Sequence, residues 1–182
     1  MKTHHWLLTL FCLVIGVIPA SGQKYVSERG QVSFFSDAAL EDIKATNQKA
    51  ISILNVATND IAFSITVKDF HFDQSLMEEH FNEKYMESDK YPKATFQGKV
   101  KGLDASVMSV VQEVKASGKL TIHGITREVE IPGTLQNLDG KWFLKSKFKV
   151  KLEDYKIDIP KLLWEKIAEE VDVAIDFSYK AG

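Results

Sequence analysis

The chain has 182 residues, with 23 basic side chains against 25 acidic ones, a net charge of −2 and one cysteine. That balance supplies no basic field for nucleic acid. A lone cysteine closes no disulfide within the chain, so the fold must rest on an apolar core, which a domain of this size can build.

The N-terminus reads as a targeting segment. MKTH carries one fixed positive charge, Lys2, and WLLTLFCLVIGVIPA (6–20) is apolar throughout, followed by Ser21 and Gly22. This is the charged start, apolar run and small-residue cleavage site of a secretory signal. The run is shorter than the roughly 20 residues of a bilayer span. Phe11 before Cys12 does not suit a lipoprotein signal. Cleavage after Gly22 is expected to leave residues 23–182 as a single exported domain, periplasmic or secreted. It carries a net charge of −3, no thiol and no further transmembrane segment.

Strand signals then recur along the chain. QVSFF (31–35) and AISIL (50–54) are short candidates. Ile61, Phe63, Ile65 and Val67 alternate with polar or small residues, as a strand with one wet face requires. FHFDQSLMEEHFNEKYM (70–86) breaks the rhythm: Leu76, Met77, His80, Phe81 and Tyr85 fall on one half of a helix of about 73–87. Glu78, Glu79, Asn82 and Glu83 take the other half, Asp73 sits at the N-cap position, and Tyr91-Pro92 ends the pattern. ATFQGKV (94–100) and 114–123 are further strands, and HGIT (123–126) and NLDGK (137–141) are hairpin-sized turns. Val129, Ile131 and Leu135 share a face, with Arg127 in phase. In GKWFLKSKFKVKLEDY (140–155), Trp142, Leu144, Ser146, Phe148, Val150 and Leu152 alternate with Lys145, Lys147, Lys149 and Lys151. PKLLWEKIAEE predicts a short helix over about 160–169, and Val171, Val173, Ile175 and Phe177 a last strand.

About eight strands with one-sided alternation predict an all-β fold with an antiparallel sheet closed into a barrel, since closure removes exposed edges. Phe63, Ile65, Val67, Phe96, Leu120, Ile122, Val129, Ile131, Trp142, Leu144, Phe148 and Val150 are then the lumen walls. They either line a tunnel for an apolar ligand or fill the barrel. Leu76, Met77, Phe81 and Tyr85 are expected to lie over one end, as a lid or as a plug.

VKASGKLTIHGITREVEIPGTL (114–135) and KYPKATFQGKV (90–100) resemble the hairpin and the tyrosine–proline strand start of the YceI-like family, bacterial polyisoprenoid-binding, lipocalin-like proteins. With the surrounding strands the likeness covers most of residues 24–180. It implies a lipocalin-like antiparallel β-barrel exported to the periplasm, with an isoprenoid chain such as a quinone or polyprenyl phosphate in its lumen. The chain departs from the family at VSFFSDAALEDIKATNQ (32–48), which lacks the family's early histidine, and at the helix before the tyrosine–proline motif.

The remaining candidates carry less. Arg127 could meet a ligand head group at a barrel mouth or pair with a neighbouring acid. The lysine stripe 145–151 reads as contact for anionic lipid or as a solvated outer face. His71, His80 and Glu83 do not form a metal-binding motif, His123 reads as a turn residue on the outer face, and no nucleophile motif or phosphate loop is present. No enzyme activity, metal or cofactor is expected. The functions left open are an exported lipid carrier and a filled-barrel envelope scaffold or partner-binding protein.

Overall fold

The computed structural model describes residues 24–37, 42–104, 106–107, 109–159 and 168–182. The N-terminal run read as a targeting segment and most of the helix expected over 160–169 lie outside them.

Ten strand segments form one antiparallel sheet: β1 (Lys24–Ser36), β2 (Ile43–Asn47), β3 (Ile51–Asn55), β4 (Asp60–Thr66), β5 (His71–Phe72), β6 (Lys93–Lys101), β7 (Gln112–Ile122), β8 (Ile125–Leu138), β9 (Lys141–Lys151) and β10 (Glu170–Ala181). The sheet closes because β1 pairs with β10 along almost its whole length, from Tyr25 opposite Ala181 to Phe35 opposite Asp172. The barrel has eight staves, since two are broken. β2 and β3 keep one register on β1, Lys24 facing Asn55 and Ser36 facing Ile43, so they are one stave interrupted at 48–50. Asn47 marks the break. It is fully buried, donates to the Thr66 carbonyl at 2.9 Å and accepts from the Lys49 amide at 2.8 Å. β4 likewise passes through a tight turn at Val67–Asp69 into β5, which pairs with β2. Neither β2 nor β5 is foreseen from the sequence, because IKATN has only Ile43 and Ala45 as apolar residues and β5 is two residues long.

The two hairpin signals act as expected. His123-Gly124 and Asp139-Gly140 all have positive φ, the conformation that a two-residue turn needs to match the twist of its strands. One ladder is incomplete: β8 pairs with β9 only over Thr134–Leu138. Pro132, just upstream, has no N–H to give, and there the Ser146 hydroxyl donates to the Pro132 carbonyl at 2.6 Å.

The lysine stripe is an outer face with partners. Lys145, Lys149 and Lys151 lie 3.6–3.9 Å from Asp176, Asp172 and Glu170 on β10, each pair directly cross-strand. Lys115 on β7 meets Glu130 on β8 diagonally, at 2.7 Å. These contacts predict how acid unfolds the barrel. Hydrogen bonds from Lys99 and then Thr58 hold the Asp60 carboxyl below its ordinary range, Ser106 does so for Asp104, and Lys115 for Glu130. A carboxyl with a lowered folded pKa stabilises the fold above its unfolded value, and that contribution is lost as pH falls through the folded value. The melting temperature is therefore expected to fall below about pH 4, with Asp60→Asn removing part of the slope. A flat melting profile from about pH 5 to about pH 3 would contradict this account.

Candidate functional site

The barrel is solid at one end and hollow at the other. At the end where β1 and β6 to β9 bring Tyr25, Val100, Val114, Leu135 and Trp142 together, Leu135, Trp142 and Tyr179 have no exposed surface. The Tyr179 hydroxyl bonds to Ser52 Oγ at 2.8 Å, and burial drives its pKa far upward, so it stays neutral. At the opposite end lies a cavity of about 390 Å³.

Its walls come from eight strands, among them Val32 and Phe34 of β1, Phe63 and Ile65 of β4, Leu120 and Ile122 of β7, Phe148 and Val150 of β9, and Val171, Val173 and Ile175 of β10. The period of two that puts lysines outside puts these side chains inside. The roof is the helix α1 (Ser75–His80), continued by a wider π turn over Phe81–Tyr85, where the Met86 amide bonds to the Phe81 carbonyl at 2.9 Å. Leu76, Met77, His80, Phe81 and Tyr85 all face the cavity. The start differs from expectation: the N-cap is Gln74 rather than Asp73, with no side-chain cap bond. The helix is tied to β5 instead, the Phe72 amide donating to Glu78 Oε2 at 3.2 Å, so Glu78 is half-buried rather than part of a wet face. The helical part stops at Tyr85, short of Pro92, because Glu87 turns left-handed (φ 43°).

Four phenylalanines fasten the roof to the wall. Phe81 stacks on Phe34 with ring centroids 5.5 Å apart and meets Phe70 at 5.7 Å and Phe72 at 5.0 Å. Such pairs add about 0.5–1.5 kcal/mol each beyond the area they bury. On the far side, His123 Nε2 lies 2.9 Å from Glu87 Oε2 and Nδ1 3.2 Å from the Tyr155 carbonyl, while the ring packs edge-on to Tyr91 at 4.5 Å. Both ring nitrogens face oxygens, so the ring joins the segment after the helix, the β7–β8 turn and the turn after β9. His123 is thus the turn residue expected from the sequence, but a largely buried clasp rather than part of the outer face; its side chain is 10% exposed.

Of the twelve expected wall residues, Phe63, Ile65, Val67, Leu120, Ile122, Phe148 and Val150 line the cavity. Phe96, Ile131, Trp142 and Leu144 are buried in the core outside its lining, and Val129 is half-buried against that core. Arg127 does not reach the cavity. Its side chain is half exposed, its Nε donates to the Asp154 carbonyl at 3.0 Å and its guanidinium lies 4.0 Å from the Asp154 carboxylate. Phe34, Phe70, Phe72, Ala94, Leu152, Val171 and Val173 also line the cavity and are not foreseen as walls, although the alternation in 171–177 already marks the last two as inward. Polar groups sit at the roof and rim: Gln74, His80, Tyr85 and Ser36. Burial pushes the Tyr85 phenol upward, so it stays a neutral hydroxyl. Among the described residues, no three His, Cys, Asp or Glu side chains converge to hold a metal. No helix among them is long and apolar enough to cross a membrane.

Eight antiparallel staves around an apolar cavity roofed by a short helix define a lipocalin-like barrel. The YceI-like domain matches residues 24–179, and the chain belongs to the YceI-like family. A polyisoprenoid-binding domain from Saccharophagus degradans, implicated in plant cell wall breakdown, superposes with a TM-score of 0.75 at 14% identity, covering 88% of this chain and 99% of that one. BcnA of Burkholderia cenocepacia gives 0.69 at 17%, covering 82% and 95%. A mutant YceI protein of Campylobacter jejuni gives 0.58 at 16%, covering 98% and 97%. No curated protein matches.

Proposed function

We propose that the protein is an exported carrier that holds an apolar, lipid-like molecule in its barrel, of the isoprenoid class and of quinone or polyprenyl phosphate type. The observation that carries this reading is the cavity: about 390 Å³, walled by aliphatic and aromatic side chains, with polar groups confined to the roof and rim. A hydrocarbon tail would lie inside, and a polar head would rest near Gln74, His80 and Tyr85. Each buried methylene contributes about 0.8 kcal/mol, so a tail needs no polar contact to bind once the cost of lost freedom is met. A barrel filled along its whole length would have no such volume, which weighs against a pure scaffold. The likeness to a polyisoprenoid-binding domain supports the ligand class, and the apolar N-terminal run supports export.

The test is organic extraction of protein purified from its native envelope, followed by mass spectrometry, with thermal melting in added quinone. A co-purified isoprenoid lipid and a rise in melting temperature are expected. An extract without lipid, together with a melting temperature indifferent to quinone, would overturn the reading.

A further inference from the structure

The cavity has a floor, and the floor is aromatic. Phe63, the deepest ring of the wall, stacks on Phe96 with centroids 5.0 Å apart and an interplanar angle of 15°. It also stacks on Phe177 at 6.4 Å, and Phe177 rests in turn on Tyr179 at 5.9 Å. Phe96 and Phe177 have no exposed surface. Two glycines make room for them. A Cβ on Gly30 would stand 2.5 Å from the Phe177 ring and against the Ala50 carbonyl, and one on Gly98 would stand 2.8 Å from the Phe96 ring. The rings fill the space those inward positions leave, and they have nowhere to swing.

From the level of Phe63 to the rim at Val67 is four residues of stave, roughly 10 Å along the axis of a barrel with strands tilted about 40°. An apolar cavity of about 150 Å³ takes a benzene ring, roughly 25 Å³ per carbon, so this one takes on the order of fifteen carbons.

Resting on the proposed function, we infer that the Phe63–Phe96–Phe177 stack sets chain length: the site takes a tail of about three isoprene units, and further carbons add nothing to binding. A long polyprenyl chain would leave its remainder outside the mouth.

The experiment measures dissociation constants for geraniol, farnesol and geranylgeraniol with the whole protein by calorimetry. Affinity is expected to rise steeply from geraniol to farnesol, by up to about fourfold per added carbon, and then to level off. Phe63→Ala removes the top of the floor and should move the break to geranylgeraniol. Ala94→Phe, which narrows the cavity from the wall, should move it back to geraniol, and this second variant serves if the first does not fold. Affinity that keeps climbing through geranylgeraniol, or a break that neither variant moves, overturns the inference and leaves the carrier reading standing. If none of the three alcohols binds, the carrier reading falls and this inference with it.

Discussion

Trp142→Ala is expected to cost about 3–5 kcal/mol of stability, the range for deleting a large aromatic side chain from a packed core. The ring has no exposed surface, and Tyr25 packs edge-on to it with centroids 6.2 Å apart. It stands opposite Tyr179 on β10 and Asn137 on β8, so it bridges three staves at the solid end. Its indole N–H has no hydrogen-bond partner among the described residues, so the ring acts through packing alone. Trp142→Phe, which keeps a ring and removes an unpaired donor, should therefore cost far less. In a domain of this size the alanine variant should melt on the order of 10 °C lower. Denaturant titration checks the free energy, and prenyl-alcohol binding should be nearly unchanged because Trp142 does not line the cavity. A loss below about 1 kcal/mol would show that the end is not solid.

Phe148→Asp attacks the other half. Phe148 lines the cavity from β9, opposite Val173 on β10, and is only half-buried, so the free protein should tolerate a carboxylate there at moderate cost. A bound hydrocarbon would trap that carboxylate without a partner. Burying an unpaired polar group costs roughly 2–7 kcal/mol, more for a charge, and affinity should drop by on the order of a hundredfold or more. Melting in ligand gives the readout: at about a hundred times its dissociation constant a ligand adds about 2.7 kcal/mol, and the variant should gain almost none. Binding that survives this substitution would place the ligand elsewhere.

The barrel was legible in the sequence because its signal is repeated. The lysine stripe of β9 and the Ile61–Val67 run each name their inward residues without help from the rest of the chain, and His123-Gly124 and Asp139-Gly140 name their turns. The helix was legible by its apolar half but not by its cap, because a carboxylate at Asp73 satisfies a sequence pattern whether or not the backbone places it. What alternation does not carry is depth. Phe96 on β6 and Phe148 on β9 obey the same period, yet one is core and the other cavity wall. The difference lies in which inward position is vacant: Gly30 and Gly98 draw rings into the barrel at one level, and no such pair does so above it. The clasp at His123 was hidden for a related reason, since its partners Glu87 and Tyr155 come from distant turns.

The pairing of β1 with β10 joins the first described strand to the last. Every other ladder links consecutive strands or, in β1–β3, β4–β6 and β2–β5, strands two or three apart in the chain, and such local pairings are quick to form but hold little alone. The stave that locks the ring is the last of the described strands in chain order, and the loop it must close spans nearly the whole barrel, an entropic toll that slows long-range pairing. Until that strand arrives the sheet has two open edges and cannot complete its core. Folding should therefore be late and all-or-none, and a chain cut short before β10 should not hold the barrel.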